Sequence, residues 1–276
     1  MNKKEIIVEN DRKIVDIIQD FGFSFADVNK MLRNKDVKLD GRPVKENCVV
    51  SAGTSVTFFY SDDMLEKKFE VIYENGDVFV VFKRAGIETD GEKGVEGALK
   101  GAIAVHRLDR NTEGLVVFAK NNNARDKLLD AFKNGKLEKA YIAEVVGKFD
   151  CKNQMFEAYL MKDSEKSFVK ISNKKENGAL KIKTLINTIK SSEQSSLLEI
   201  GLLTGRTHQI RAHLAFLGHP IIGDGKYGKN SDNKKFKQTR QKLACYKLTF
   251  QDVGIEGIDN KAFTKLPKWA DGVNKK

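Results

Sequence analysis

Cysteine is scarce and scattered in this chain: Cys48, Cys151 and Cys245 are odd in number and widely spaced among 276 residues. That excludes a CxxC metal or redox motif and points to a reducing compartment. No apolar run approaches a membrane span, and Met1-Asn2-Lys3-Lys4 leads into none, so the expected location is the cytoplasm. Proline occurs three times and no low-complexity block is present, which argues against a long disordered linker. Positive charge is what the chain has in excess. Its 49 lysines and arginines against 38 acids give a formal charge of +11. That balance suits a polyanion, most commonly nucleic acid, although an unspecialised basic enzyme would share it.

The first sixty residues read as a small unit. Ile14, Ile17, Ile18 and Phe21 recur at helical spacing with Gly22 as a stop, which predicts a helix over 12–21. Ser24 with Asp27 resembles a capping box opening a second helix, whose inner face is Val28, Met31 and Leu32. Val37 to Val44 alternates around Asp40-Gly41 and predicts a tight hairpin, and Val56 to Tyr60 a closing strand. Lys30, Arg33, Lys35, Lys38, Arg42 and Lys45 crowd the second helix and the hairpin against only Asp36 and Asp40. Such a face grips phosphates without reading sequence, but a run of charge is more often a solvated surface.

Beyond residue 62 strands dominate. They are predicted at 69–73, 78–82, 102–105, 115–119, 141–146, 181–189 and 196–203. Helices are predicted at 124–133, with Leu128, Leu129 and Phe132 inward, and at 208–217. The excess of strands favours an α+β domain with a mixed, mostly antiparallel sheet. Gly223-Asp224-Gly225-Lys226-Tyr227-Gly228 fits G-x-G-x-x-G, yet a polar lysine-rich segment follows instead of a phosphate-binding helix. The segment reads as a turn. His208, His213 and His219 lack nearby cysteines, and the His208/His213 spacing does not put both rings on one helical face, so no metal is expected.

Two segments carry more chemistry. In Val105-His106-Arg107-Leu108-Asp109-Arg110 an acid stands between two arginines just ahead of the apolar strand at 115–119. A carboxylate near a core must be paired, and a paired, partly desolvated carboxylate serves equally as a salt bridge or a nucleophile. Leu203-Thr204-Gly205-Arg206-Thr207-His208-Gln209-Ile210-Arg211 passes from strand through a turn into a helix. Its two arginines suit a phosphate or a carboxylate, or are ordinary helix-surface residues.

Together these segments, with Lys139-Ala140-Tyr141-Ile142-Ala143, resemble the RluA-type pseudouridine synthases from about Phe69 to Leu248. The helix–helix–hairpin order at the front resembles the S-four RNA-binding domain. These resemblances imply an RNA-binding domain over 1–62 and a catalytic domain of the pseudouridine synthase fold over 63–276. The implied activity is isomerisation of chosen uridines, in large-subunit ribosomal RNA ahead of transfer RNA. A non-catalytic RNA-binding assembly factor is the reading from another class. The resemblance makes Asp109 the initiating carboxylate, Arg211 its partner, and Tyr141 a ring that stacks on uracil and serves as a general base. It makes Arg107, His106, Lys83, Arg206 and Ile210 substrate-binding, and Arg107 the residue that guides or fills the space of a flipped base. Lys226, Lys229, Lys234, Lys235, Lys237 and Arg240 would border the RNA path. No cofactor is expected, and a monomer is. Arg84 stands where the family has proline, and Glu113 where it often has serine.

Overall fold

A computed structural model describes residues 1–21, 23, 25–61, 68–163 and 168–270. The chain divides into two compact units, Met1–Lys67 and Lys68–Lys276. The expected stop at Gly22, the capping role of Ser24 and the expected 62/63 boundary fall outside the described residues.

In the first unit the strands are β1 (Asn2–Ile7), β2 (Arg12–Lys13), β3 (Val37–Leu39), β4 (Arg42–Val44), β5 (Val49–Val50) and β6 (Ser55–Tyr60). The helices are α1 (Ile14–Gln19) and α2 (Phe25–Asn34). Four strands form a sheet in the order β1-β6-β3-β4, and β2 pairs with β5. Helix α1 is shorter than predicted because Arg12 and Lys13 are strand partners of Val50 and Val49. The hairpin turns at Asp40 and Gly41, both with positive φ (45° and 80°), the geometry that matches strand twist and that Asp-Gly allows. Ile14, Ile18, Val28, Met31, Leu32, Val37, Val56 and Phe58 form the core. β1 was not foreseen, since its lysine-rich sequence is that of an edge strand.

The second unit is built on a sheet of eleven strands. They are β7 (Phe69–Glu74), β8 (Val78–Lys83), β9 (Ile103–Ala104), β10 (Glu113–Ala119), β11 (Leu137–Val146), β12 (Gln154–Asp163), β13 (Phe168–Ser172), β14 (Leu180–Ser191), β15 (Ser195–Leu202), β16 (Leu243–Phe250) and β17 (Ala262–Thr264). The order is β13-β12-β14-β15-β11-β16-β10-β8-β7, with β9 on β10 and β17 on β16. All pairs are antiparallel except β10 with β16, so the unit is α+β on a mixed, mostly antiparallel sheet. Helices α3 (Val95–Ala98), α4 (Asn122–Lys133), α5 (Gln209–Phe216) and α6 (Asn230–Lys235) complete it.

The Asn121 side chain caps α4 by accepting from the Ala124 N–H, and Gly135 follows its end at φ 69°. Leu128 packs inward as predicted, but Leu129 is 45% exposed, because Ala124, Leu128 and Ala131 make the inner stripe. The parallel pair sets the site. Gly114 on β10, Cys245 on β16 and Tyr141 on β11 lie in one row across the sheet. Gly114 has φ 126°, and a Cβ there would lie 2.3 Å from the Cys245 carbonyl oxygen, so only glycine allows β10 to meet β16 this closely.

Candidate active site

Asp109 lies in the segment between β9 and β10, where its carbonyl accepts the Thr112 N–H in a turn. Opposite stands Arg211, in the first turn of α5, 102 residues away in sequence and only 7% exposed. A cation at a helix N-terminus works against the helix dipole, so it needs carboxylates. It has two. Nε and Nη2 donate to Asp224 at 2.7 and 3.0 Å, and Nη1 donates to Asp109 Oδ2 at 2.8 Å.

Burial by itself would lower the Arg211 pKa, but the bonds and charges of Asp224 and Asp109 raise it instead. Burial likewise works to raise Asp224, and is overcome by Arg211 and by the Lys226 and Tyr227 N–H groups, so its pKa is lowered. The forked face of the guanidinium is therefore spent on Asp224. Asp109 receives one bond, keeps Oδ1 free of any hydrogen-bond partner among the described residues, and is part-exposed at 24%. The carboxylate is paired, but not closed.

Asp224 belongs to the glycine-rich segment that sequence reading set aside. That segment is a turn and not a dinucleotide loop, but it holds the buried acid that positions Arg211. An acid flanked by two glycines directly after Ile221-Ile222 was the available signal. His208 was also missed, having been weighed only as a metal ligand. Its Nε2 lies 3.7 Å from Asp109 Oδ2, and its Nδ1 is 2.9 Å from the Tyr227 hydroxyl. His213 instead meets Thr184 at 3.0 Å and His219 the Val146 carbonyl at 3.0 Å, so the three rings go to different places.

Tyr141 is 5% exposed and sits at an irregularity in the β11–β16 register, a device that re-aims a side chain. Burial, with Cys245 and Asp109 nearby, holds its pKa well above the ordinary tyrosine range. Phenolate is thus scarce at neutral pH. A buried, neutral ring is what the expected stacking role needs, whereas a raised phenol pKa works against the expected general-base role.

The other expected residues are placed unevenly. Arg107 is exposed, but its guanidinium is held 3.0 Å from Asp90 and 3.8 Å from Glu88. Arg206 is exposed on the turn before α5. His106 does not present its ring polar atoms to a substrate: Nε2 accepts the Val117 N–H at 3.0 Å, Nδ1 is buried, and the ring packs on Phe132. Ile210 is 4% exposed within the main core.

Lys83 is fully buried, and its ammonium donates to the carbonyls of Arg84, Ile87 and Arg110 at 3.2, 2.9 and 3.1 Å. It ties the segment after β8 to the one bearing Asp109. Burial lowers its pKa to about 8, with Glu88, Asp109 and Glu113 opposing. Between that value and the unfolded 10.5 the unfolded chain binds more protons, so this group's contribution to stability rises with pH. Lys83→Met should remove that rise from the 8–10.5 window of a pH series of melting curves. It should also slow turnover more than it weakens RNA binding.

In the first unit Lys30, Arg33, Lys35, Arg42 and Lys45 are exposed, and none of the five has a salt bridge among the described residues. Lys38 is half-buried. Its register partner is Pro43, on the side of the sheet opposite Val37 and Val44, and its ammonium lies 5.4 Å from the Phe59 ring centroid.

Among the described residues no three His, Cys, Asp or Glu side chains cluster as metal ligands, and no helix is long and apolar enough to cross a membrane. On this sheet a part-exposed carboxylate is paired to a buried arginine and lies near enough to a buried tyrosine to help raise its pKa, which is the grouping the resemblance to the pseudouridine synthases implies. Residues 77–216 match the RNA pseudouridylate synthase family, and the chain belongs to that family. An "Uncharacterized RNA pseudouridine synthase" of Helicobacter pylori is 33% identical over 198 residues, covering 71% of this chain and 77% of its own. The "Ribosomal large subunit pseudouridine synthase C" of Vibrio cholerae is 28% identical over 266 residues, covering 87% and 82%. In fold, the chain is similar to human RNA pseudouridylate synthase domain containing 1, with a TM-score of 0.58 at 24% identity, covering 72% of this chain and 82% of that one.

Proposed function

We propose that this pseudouridine synthase modifies uridines of large-subunit ribosomal RNA, with Asp109 starting the reaction, Arg211 holding it and Tyr141 stacking on the uracil. The 2.8 Å pair between Asp109 and Arg211 carries the site reading, because it leaves one carboxylate oxygen open in a site whose charge is felt by the buried Tyr141. The ribosomal substrate is supported by the Vibrio cholerae relative and by a 34%-identical relative of the same name from Rickettsia bellii. In the reaction the bond from the ribose to the uracil nitrogen breaks, the base turns, and carbon 5 bonds to the ribose. The carbon 5 proton is lost and the nitrogen gains one. No electron is transferred, so the chemistry needs no redox cofactor. Asp109 begins either by attacking the sugar or base or by taking a ribose proton to form a glycal, and both routes need it ionised.

A base flipped toward Asp109 leaves a gap in the RNA that Arg107 fills or guides, exchanging Asp90 and Glu88 for RNA. The first unit serves as an S-four-like domain whose exposed cations hold phosphates. The protein acts as a monomer in the cytoplasm.

Mapping pseudouridines in cellular RNA with and without the protein tests the substrate. Loss of specific sites in large-subunit RNA is expected. Loss in transfer RNA alone would reassign it, and no lost site would favour an assembly factor. Removing residues 1–67 should weaken binding to long RNA by about tenfold or more at moderate salt, since several phosphate contacts go with it. Product formation on a short RNA should survive, and a filter-binding titration beside a turnover assay separates the two.

A further inference from the structure

His208 is an unusual residue to find where it is. Its backbone is left-handed, with φ 54° and ψ 16°, at the position before α5, and its side chain makes no cap there. The conformation is uncommon for a residue with a side chain, though histidine adopts it more readily than most, and it aims the ring into the site. The surroundings are specific. The Tyr227 hydroxyl accepts the Val169 N–H at 3.1 Å and lies 2.9 Å from His208 Nδ1. With one acceptor position engaged by the backbone, the hydroxyl is placed to donate its proton to Nδ1, and the tautomer that matches this carries the imidazole proton on Nε2. Nε2 faces Asp109 Oδ2 at 3.7 Å, longer than a hydrogen bond and short enough to close by a small ring movement.

Resting on the functional reading above, we propose that His208 is a second positioning residue for Asp109. Through Nε2–H it joins Arg211 in holding Oδ2, so that Oδ1 is the atom that reacts. The charged and titratable groups around the ring are Asp109 ahead of β10, Arg211 on α5, and Asp224, Lys226 and Tyr227 in the turn that follows. Burial lowers the His208 pKa, with Arg211 and Lys226 in the same direction and Asp109 and Asp224 opposing, which keeps the ring neutral at neutral pH. Below its pKa an imidazolium beside Oδ2 would damp the carboxylate, so turnover should fall as His208 protonates.

The test compares wild type, His208→Gly and His208→Gln on one RNA. Glycine relieves the left-handed strain, so melting temperature should hold or rise while kcat falls about tenfold and KM stays. Glutamine restores an N–H donor and should recover most of the rate. A His208→Gly protein with wild-type kcat, or a rate loss that tracks a fall in melting temperature, overturns the proposal. Nitrogen-15 NMR of the histidines gives an arm independent of turnover. An Nε2–H tautomer at His208, with a pKa that drops in Asp109→Asn, is expected; an Nδ1–H tautomer or an unmoved pKa overturns it. A wild type that forms no pseudouridine refutes the functional reading, and the NMR arm still decides the contact.

Discussion

Asp109→Asn should give a folded protein that binds RNA near wild-type affinity and forms no pseudouridine, a loss on the order of 10⁴-fold or more in turnover. The substitution is nearly isosteric. Its amide oxygen can still accept from Arg211 Nη1, and Arg211 keeps its forked contact with Asp224, so the buried cation is not stranded. Stability should change little, and what is lost is the negative charge that either route of initiation requires. Binding affinity rests mainly on exposed cations that this change does not touch. Single-turnover product formation, RNA binding and a melting curve on the same preparation check the three statements. Retained turnover would remove Asp109 from the chemistry.

Local features were legible where local physics decides them. Asp40-Gly41 specified its turn because few other residues accept positive φ at both positions, and the strand predicted at 78–82 announced itself as an unbroken apolar run, observed as Val78–Lys83. Elements whose identity depends on distant partners were not. β12 (Gln154–Asp163) buries Ala158 and Leu160 on one face while Glu157 pairs with Lys181 and Lys183 on β14, so its alternation is masked by charge. β16 (Leu243–Phe250) lies between β11 and β10, and its length shows only in those registers. The site followed the same division. Asp109, Tyr141 and Arg211 could be named from motif resemblance, whereas proximity in sequence offered Arg107 or Arg110 as the partner of Asp109. The structure brings Arg211 to it across 102 residues and turns Arg107 toward Asp90 and Glu88. Asp224 was hidden because a glycine-rich turn looks the same whether its acid points to solvent or to a buried guanidinium.

Asp224→Ala should be the most destabilising single change in the site, by about 3–5 kcal/mol, because it leaves a buried arginine with one bond of its three. The lost carboxylate also orders its own turn, accepting the Lys226 and Tyr227 N–H groups at 2.8 and 3.1 Å. Freed from the fork, Arg211 can engage both oxygens of Asp109, which would tighten the pair and close the oxygen left open for reaction, so turnover should fall even in molecules that remain folded. The pH dependence follows from the lowered folded-state pKa. The contribution of Asp224 is present above the ordinary carboxylate value near 4 and is lost as pH falls through its folded value, because the unfolded chain takes up the proton first. Wild type should therefore lose stability below pH 4 more steeply than Asp224→Ala does. Adding Arg211→Met distinguishes a stranded charge from a lost contact. If the stranded cation is the cause, the double variant recovers a large part of the stability, though none of the turnover. If the two losses simply add in denaturant titrations, the pair is packing and Asp224 is not what sets Arg211 in place.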